Sequence, residues 1–345
     1  MTGIELRGVE KAYGGNKPVI ENLDVQIEEG SFTILLGPSG CGKSTILRMI
    51  AGLEKETAGE IFINGIDMRG VSPGAREIAM VFQNYALYPT MTVKENIEFG
   101  LKNIKVPKPE REARVGEVIE MVGLTEYMNR KPQHLSGGQR QRVALARAIV
   151  KKPKVFLMDE PLSNLDAKLR AQIRTDLIEL HRNLGATFVY VTHDQVEAMS
   201  MGTDIVLLES GRIRQQGAPE SIYSAPKNLF SAQFIGSPPM NIIKAENLEH
   251  GGASLPPGTV SLGFRPEKVI VSGEGRAPER GQISFRGELV AREILGDHAI
   301  YKFKTAFGCI HTKTMSGSTV EYGKWSVRVD AKYLYYFDEK GDVIK

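Results

Sequence analysis

The chain predicts two fold classes in succession, an α/β domain and then a smaller all-β domain. Three observations carry this. Short β-type runs alternate with helical patterns over the first two thirds. A glycine-rich turn, Gly37 to Gly42, sits between a strand pattern and a helix pattern. After Phe234 the helical patterns give way to short β-type runs separated by Gly and Pro.

In order, Ser31 to Leu36 reads as a strand and Lys43 to Ala51 as the helix after the turn. Val93 to Val150 is mostly helical in pattern and interrupts the strand-rich part. It is expected to be an inserted helical subdomain, about 86–152. Val155 to Met158 and Thr187 to Val191 are apolar strands. The helix between them, Ala167 to Leu184, carries Ile173, Leu177, Leu180 and Leu184 as one apolar stripe for core packing. Gly236-Ser237-Pro238-Pro239 is turn-rich and places a domain boundary there, giving domains 1–235 and 236–345. Beyond it, strands are expected at Val260 to Phe264, Lys268 to Val271, Gly287 to Leu295, Ala299 to Phe303, Trp325 to Val329 and Tyr333 to Phe337. So many short strands predict a small barrel or sandwich.

The 345 residues are 41% hydrophobic and 25% charged, ordinary globular composition. Lys plus Arg total 44 against 41 Asp plus Glu, a net charge of +3, which argues against a dedicated nucleic-acid binder. Two cysteines, Cys41 and Cys309, do not make a disulfide framework, and a reducing, cytoplasmic setting is expected. Met1 to Glu10 alternates polar and apolar residues and has no signal-peptide core. No run approaches the ~18 apolar residues of a membrane helix, so any work at a membrane must go through partners.

Gly37-Pro38-Ser39-Gly40-Cys41-Gly42-Lys43-Ser44-Thr45 fits the P-loop pattern G-x-x-x-x-G-K-[ST]. Its glycines let successive N–H groups point at phosphate oxygens, and the following helix adds its positive end. Lys43 is expected to reach the β- and γ-phosphates and Ser44 to ligate Mg²⁺. Leu135-Ser136-Gly137-Gly138-Gln139 opens a helix with the S-x-x-Q spacing of a capping box. Its glycines strip away side chains and leave backbone N–H groups open to an anion. A second phosphate-facing surface in a chain with one P-loop points to two chains sandwiching each nucleotide.

On these motifs the sequence resembles the ABC ATPase family, whose signature motif is Leu135 to Gln139. Asp159 ends the apolar run Val155-Phe156-Leu157-Met158 and is placed to bind Mg²⁺, directly or through water. The resemblance implies roles for further residues. Glu160 is similar to the general base that polarises the attacking water. His193, in Val191-Thr192-His193-Asp194, is similar to the switch histidine at the γ-phosphate. Gln83, in Val81-Phe82-Gln83-Asn84, is similar to the glutamine that senses Mg²⁺ and water. Asp166, in Ser163-Asn164-Leu165-Asp166, lies in the loop that meets the other chain of the dimer, and it also reads as a helix N-cap. Tyr13 resembles the aromatic that stacks on adenine.

The resemblance covers essentially the whole chain. Asn84-Tyr85-Ala86-Leu87-Tyr88-Pro89 is similar to the segment that receives a coupling helix of a membrane subunit in importers. Gly236-Ser237-Pro238-Pro239-Met240-Asn241, Gly263-Phe264-Arg265-Pro266-Glu267 and Asn164-Leu165-Asp166-Ala167-Lys168-Leu169-Arg170 resemble the maltose-type carbohydrate importers. The family then implies a P-loop NTPase cassette of the α/β class with an inserted helical subdomain, followed by an OB-like all-β domain for regulation and dimerisation. It implies ATP and Mg²⁺ as cofactors and an ATP-dependent head-to-tail pair of identical chains. It also implies two integral-membrane permeases, an extracytoplasmic solute-binding protein, no nucleic acid, and a place on the cytoplasmic face of the inner membrane. Sugars are the expected cargo; polyols, glycerol-phosphate esters, polyamines and sulfate are the rivals. A soluble ABC ATPase acting on ribosomes or DNA is the distant alternative.

Overall fold

Two antiparallel strands, β1 (Thr2–Lys11) and β2 (Ile20–Glu28), begin the computed structural model, which describes residues 2–15, 17–248, 255–273, 279, 281–315 and 320–344. On β2, Leu23, Val25 and Ile27 turn inward while Asp24, Gln26 and Glu28 face out, the period-2 pattern of a strand with one wet face. All five residues of β3 (Phe32–Leu36) are buried, and α1 (Lys43–Ile50) follows. β4 (Ala58–Ile63) and β5 (Ile66–Asp67) complete a four-stranded antiparallel sheet of order β2-β1-β4-β5. After β6 (Ile78–Val81) come α2 (Val93–Asn103), α3 (Lys108–Met121) and α4 (Gly137–Ile149), all inside the stretch read as a helical subdomain.

The chain then alternates through β7 (Val155–Asp159), α5 (Ala167–Leu184), β8 (Thr187–Thr192), α6 (Gln195–Met201), β9 (Asp204–Glu209) and β10 (Arg212–Gly217). These make a six-stranded sheet of order β10-β9-β3-β8-β7-β6, parallel except for β10 at its edge. Its central strands β3, β7 and β8 are buried at every residue because both faces are covered. One face packs Leu35, Leu157, Val189, Val191 and Val206 with Ile46, Leu47, Met49 and Ile50 of α1 and with the inward residues of the first sheet. On the other face Phe32, Phe156, Phe188 and Tyr190 stack among themselves, with His181 of α5 at the edge. Each buried Leu, Ile or Met contributes roughly 1.5–3 kcal/mol. Four on α1 therefore hold that helix in place although its N-terminus has no side-chain cap. The stripe on α5 buries Ile173, Leu177 and Leu180 as expected; Leu184 is half-buried.

The chain divides into two compact units, Met1–Pro219 and Glu220–Lys345. The second holds α7 (Pro219–Ser224) almost whole, α8 (Leu229–Phe234), β11 (Asn241–Lys244), β12 (Ser261–Phe264), β13 (Val269–Gly273), β14 (Gln282–Ile294), β15 (His298–Thr305), β16 (Gly308–Met315), β17 (Lys324–Asp330), β18 (Tyr335–Phe337) and β19 (Val343–Ile344). They form antiparallel sheets of order β11-β12-β18-β19 and β13-β17-β14-β15-β16. The end strands β13 and β16 of the second sheet touch, so it curls toward a barrel. Leu262 and Phe264 from one sheet and Phe285, Leu289, Phe303 and Val327 from the other share one core. Three strands, β11, β16 and β19, were not expected from the sequence.

The division also falls earlier than the turn at 236 on which the sequence boundary was placed. Arg265 explains this. Its buried guanidinium donates to the carbonyls of Tyr223, Ala232 and Ile235 at 2.8, 3.0 and 2.5 Å and stacks over the Tyr223 ring at 4.1 Å. The helices before the turn are thereby bound to the β-rich unit.

Candidate functional site

The P-loop leaves β3 and enters α1 through Gly42, whose φ of 103° is left-handed. The left-handed backbone is what requires glycine, and a Cβ there would also lie 2.3 Å from Ile20 Cδ1 and displace that side chain. α1 has no side-chain cap and no acidic residue in its first turn. Its end therefore carries an unneutralised positive dipole. Lys43 is buried and donates through Nζ to the carbonyls of Gly37 and Pro38, both at 2.8 Å. The thiol of Cys41 lies 3.8 Å away, its pKa pushed up by burial against the opposing pull of Lys43. Ser39, Gly40, Gly42, Lys43, Ser44 and Thr45 line a cavity of about 340 Å³ with Val19, and Glu160 faces them from the end of β7.

β6, β7 and β8 run parallel, which brings three chain segments to that end of the sheet. Ser44 donates through Oγ to Asp159 Oδ1 at 2.7 Å. Glu160 adopts a left-handed φ of 42°, uncommon for a residue with a long side chain, and its N–H bonds Val191 O at 3.1 Å. Its Oε1 lies 3.3 Å from Nδ1 of His193, on the loop after β8. Gln83 donates to Ser163 Oγ at 3.3 Å, and Ser163 donates to the carbonyl of Glu160 at 2.9 Å. Asn164 Nδ2 reaches back to Gln83 O at 3.1 Å. Gln83 thus joins the Glu160 loop, without a hydrogen bond to Ser44 or Asp159 among the described residues.

The remaining expected residues lie apart from the cavity. Ser136 and Gln139 form a complete capping box on α4, with Ser136 N to Gln139 Oε1 at 2.8 Å and Gln139 N to Ser136 Oγ at 3.3 Å. The two glycines do more than clear a path to the backbone. A Cβ on Gly138 would meet Leu169 Cδ1 at 2.8 Å, and one on Gly137 would meet Leu165 at 3.1 Å, so they let α4 pack against the start of α5. Asp166 is the N-cap of α5, accepting from Leu169 N at 3.0 Å. Tyr13 is 53% exposed and does not line the cavity; the Lys11 ammonium sits 4.7 Å from its ring.

The sequence reading missed Asn96 and the pair Arg170 and Glu197. Asn96 is fully buried on α2. It donates to the carbonyls of Tyr88, Met91 and Thr92 and accepts from Tyr88 N at 2.9 Å, which pins the segment after Gln83. Beside that segment lies a groove of about 180 Å³ lined by Phe82, Tyr85, Tyr88, Phe99, Arg147 and Lys151 among others. An asparagine inside an amphipathic helical stripe was the signal available for Asn96.

Residues 20–163 match the family model described as ABC transporter. The sn-glycerol-3-phosphate import ATP-binding protein UgpC of Brucella abortus (strain 2308) is 52% identical over 80% of this chain and 80% of its own. UgpC 3 of Agrobacterium fabrum is 43% identical over 99% of both chains. The ATP-binding cassette MJ0796, solved as a dimer in a post-hydrolysis state bound to ADP and Pi, aligns with a TM-score of 0.57 at 36% identity. That alignment covers 63% of this chain and 98% of the cassette. cbiO1 from Clostridium perfringens aligns with a TM-score of 0.60 at 28% identity, covering 64% and 90%. With a P-loop, an acid pair at the end of β7 and these likenesses together, the chain belongs to the ATP-binding subunits of ABC transporters.

Proposed function

We propose that the chain is the ATP-hydrolysing subunit of an importer, that it works as a head-to-tail pair, and that its cargo is a glycerol-phosphate ester. The observation carrying the hydrolytic part is that the P-loop, the Asp159–Glu160 pair and His193 meet at one end of one parallel sheet. The α1 N-terminus and Lys43 hold the phosphates. Ser44 and Asp159 place two oxygen donors side by side, a fit for Mg²⁺, which would neutralise phosphate charge. Glu160 takes a proton from a water molecule as the water oxygen bonds the γ-phosphorus; the bond from that phosphorus to the β–γ bridging oxygen breaks, leaving ADP and phosphate. His193 steadies Glu160 and the γ-phosphate.

Ser136 to Gln139 do not line their own chain's cavity, which supports their use on a nucleotide held by a second copy. In that pair Asp166 contacts the other chain, and Tyr13 stacks on adenine. The groove beside Asn84 to Pro89 supports docking of two integral-membrane permeases, which hold the pair on the cytoplasmic face of the membrane while a solute-binding protein delivers cargo on the other side. The relatives named above are called sn-glycerol-3-phosphate import proteins. That favours the ester over the sugar that the sequence motifs put first.

Glu160→Gln is expected to lower kcat by roughly a hundredfold or more, the range for a lost general base, while ATP binding persists. Steady-state ATPase assays and nucleotide titration read both, and unchanged turnover would remove Glu160 from the role. Tagged Glu160→Gln protein drawn from native membranes with Mg-ATP should bring two permeases and a binding protein. Calorimetry on that binding protein then decides the cargo: tight binding of sn-glycerol 3-phosphate upholds the ester, and tight binding of maltose in its place restores the sugar. Ribosomal or DNA-repair proteins without a permease would overturn the importer.

A further inference from the structure

Arg170 lies one turn into α5, where its N–H bonds Asp166 O at 2.9 Å. Its guanidinium reaches three ways. Nη2 donates to Leu165 O at 3.1 Å, in the loop that also holds Ser163. Nη1 lies 3.5 Å from Asp194 Oδ2. Nε faces Glu197 Oε1 at 3.9 Å, too far for a hydrogen bond. Glu197 is 4% exposed and takes the hydroxyls of Tyr190 and Thr192 on its other oxygen at 2.9 and 2.7 Å. Burial pushes its carboxyl pKa up; the bonds from Thr192 and Tyr190 oppose that, Asp194 adds to it, and Arg170 pulls it back. Asp194 caps α6 through Val196 N at 2.7 Å, and its own N–H bonds Thr192 Oγ1 at 3.0 Å.

His193 stands between Thr192 and Asp194, both tied into this cluster. Its own ring is more than half exposed, and its one side-chain hydrogen bond among the described residues is to Glu160. The ring therefore owes its place to its neighbours in the chain. A planar fork with fixed donors suits such a junction, since one group can address a carbonyl and two carboxylates at set angles.

We propose that Arg170 is a positioning residue for ATP hydrolysis: by holding Leu165 and Asp194 at once, it sets His193 against Glu160 and links that setting to the Ser163–Asp166 loop. This rests on the reading that Glu160 and His193 carry the hydrolysis. The Ser163–Asp166 loop is the one read as meeting the second copy, so movement there would reach His193 through one side chain. Thr192, Asp194 and Glu197 bring the link from the β8 side.

The test uses the full-length chain. Arg170→Met keeps the packing and removes the charge and donors. We expect kcat to fall about tenfold with KM for ATP within about twofold, the pattern of an interaction used in turnover rather than binding. Arg170→Lys should regain about a third of the lost rate, because the charge returns without the fork. Asp194→Asn keeps the α6 cap oxygen and should also cost about tenfold in kcat; the double variant should be no slower than either single by more than about twofold, since both cut one link. A kcat for Arg170→Met within about twofold of wild type, or losses that multiply in the double variant, overturns the proposal. If Arg170→Met does not fold, the Asp194→Asn kcat decides by the same thresholds. Glu160→Gln runs alongside. If it turns over normally, the site reading itself fails; if it is inactive while Arg170→Met keeps a kcat within about twofold of wild type, the Arg170 link alone fails.

Discussion

At the start of α2, Thr92 accepts from Glu95 N at 3.2 Å and Glu95 accepts from Thr92 N at 2.7 Å; at the start of α4, Ser136 and Gln139 trade the same two bonds. Each box satisfies two of the N–H groups that a helix start leaves over. The difference lies in what else stands there. α2 has Val93 and Lys94 in its first turn and a carboxylate as third residue; α4 has two glycines and a neutral amide. The carboxylate of Glu95 offsets the positive end of its own helix. α4 keeps that end unneutralised, as α1 does. Capping a helix start and neutralising its charge are thus separable, and the choice between Glu and Gln at one position separates them.

Exchanging those residues should move activity the most. Gln139→Glu keeps the box and should keep or raise Tm, yet lower ATPase activity at least about tenfold by placing a negative charge against the phosphate proposed to come from the second copy. Glu95→Gln should leave kcat within about twofold. Parallel assays of kcat and Tm on both variants check this, and equal activities would dissolve the distinction.

Gly138→Ala comes next. The new Cβ meets Leu169, a flexible side chain that can yield, so a cost of about 1–3 kcal/mol in urea unfolding is expected, as for other overpacked sites. Leu169→Ala in the same chain should return part of it. No loss would mean the glycines serve the backbone alone.

Removing the caps themselves should cost the least stability. Thr92→Ala and Ser136→Ala should each cost about 1 kcal/mol in unfolding experiments, with turnover lost only for Ser136. The two boxes should differ in acid. The Thr92 N–H, then its hydroxyl, holds the Glu95 carboxyl below its ordinary 4.5. The support Glu95 lends is complete above that value and fades as pH falls through the lower folded one. The cost of Thr92→Ala should therefore shrink in acid while that of Ser136→Ala holds, as a pH series of melts would read.

Local pattern made much of this legible. Helix α5 matched its expected limits because its stripe is long and bounded by Asp166 and Gly185. The P-loop context was readable because glycine, lysine and serine occur there in a fixed spacing. What escaped had no local signal. β11 and β19 are too short for a period to register, and β16 carries mainly polar and β-branched residues. Arg170 and Glu197 look like surface charges on two helices; only the parallel order of β7 and β8 brings α5 and α6 side by side. The left-handed backbone at Glu160 was equally silent, since glutamate does not advertise that conformation.

The cage around Arg265 also sets where genes of this kind can be recombined. The guanidinium sits at 265, but the carbonyls that satisfy it come from 223, 232 and 235. A chimera spliced at the Gly236 turn would carry the arginine into a host whose own helices must offer the same three oxygens. A splice after Pro219 moves donor and acceptors together. Exchange of the β-rich unit between relatives is thus modular only when the two short helices travel with it.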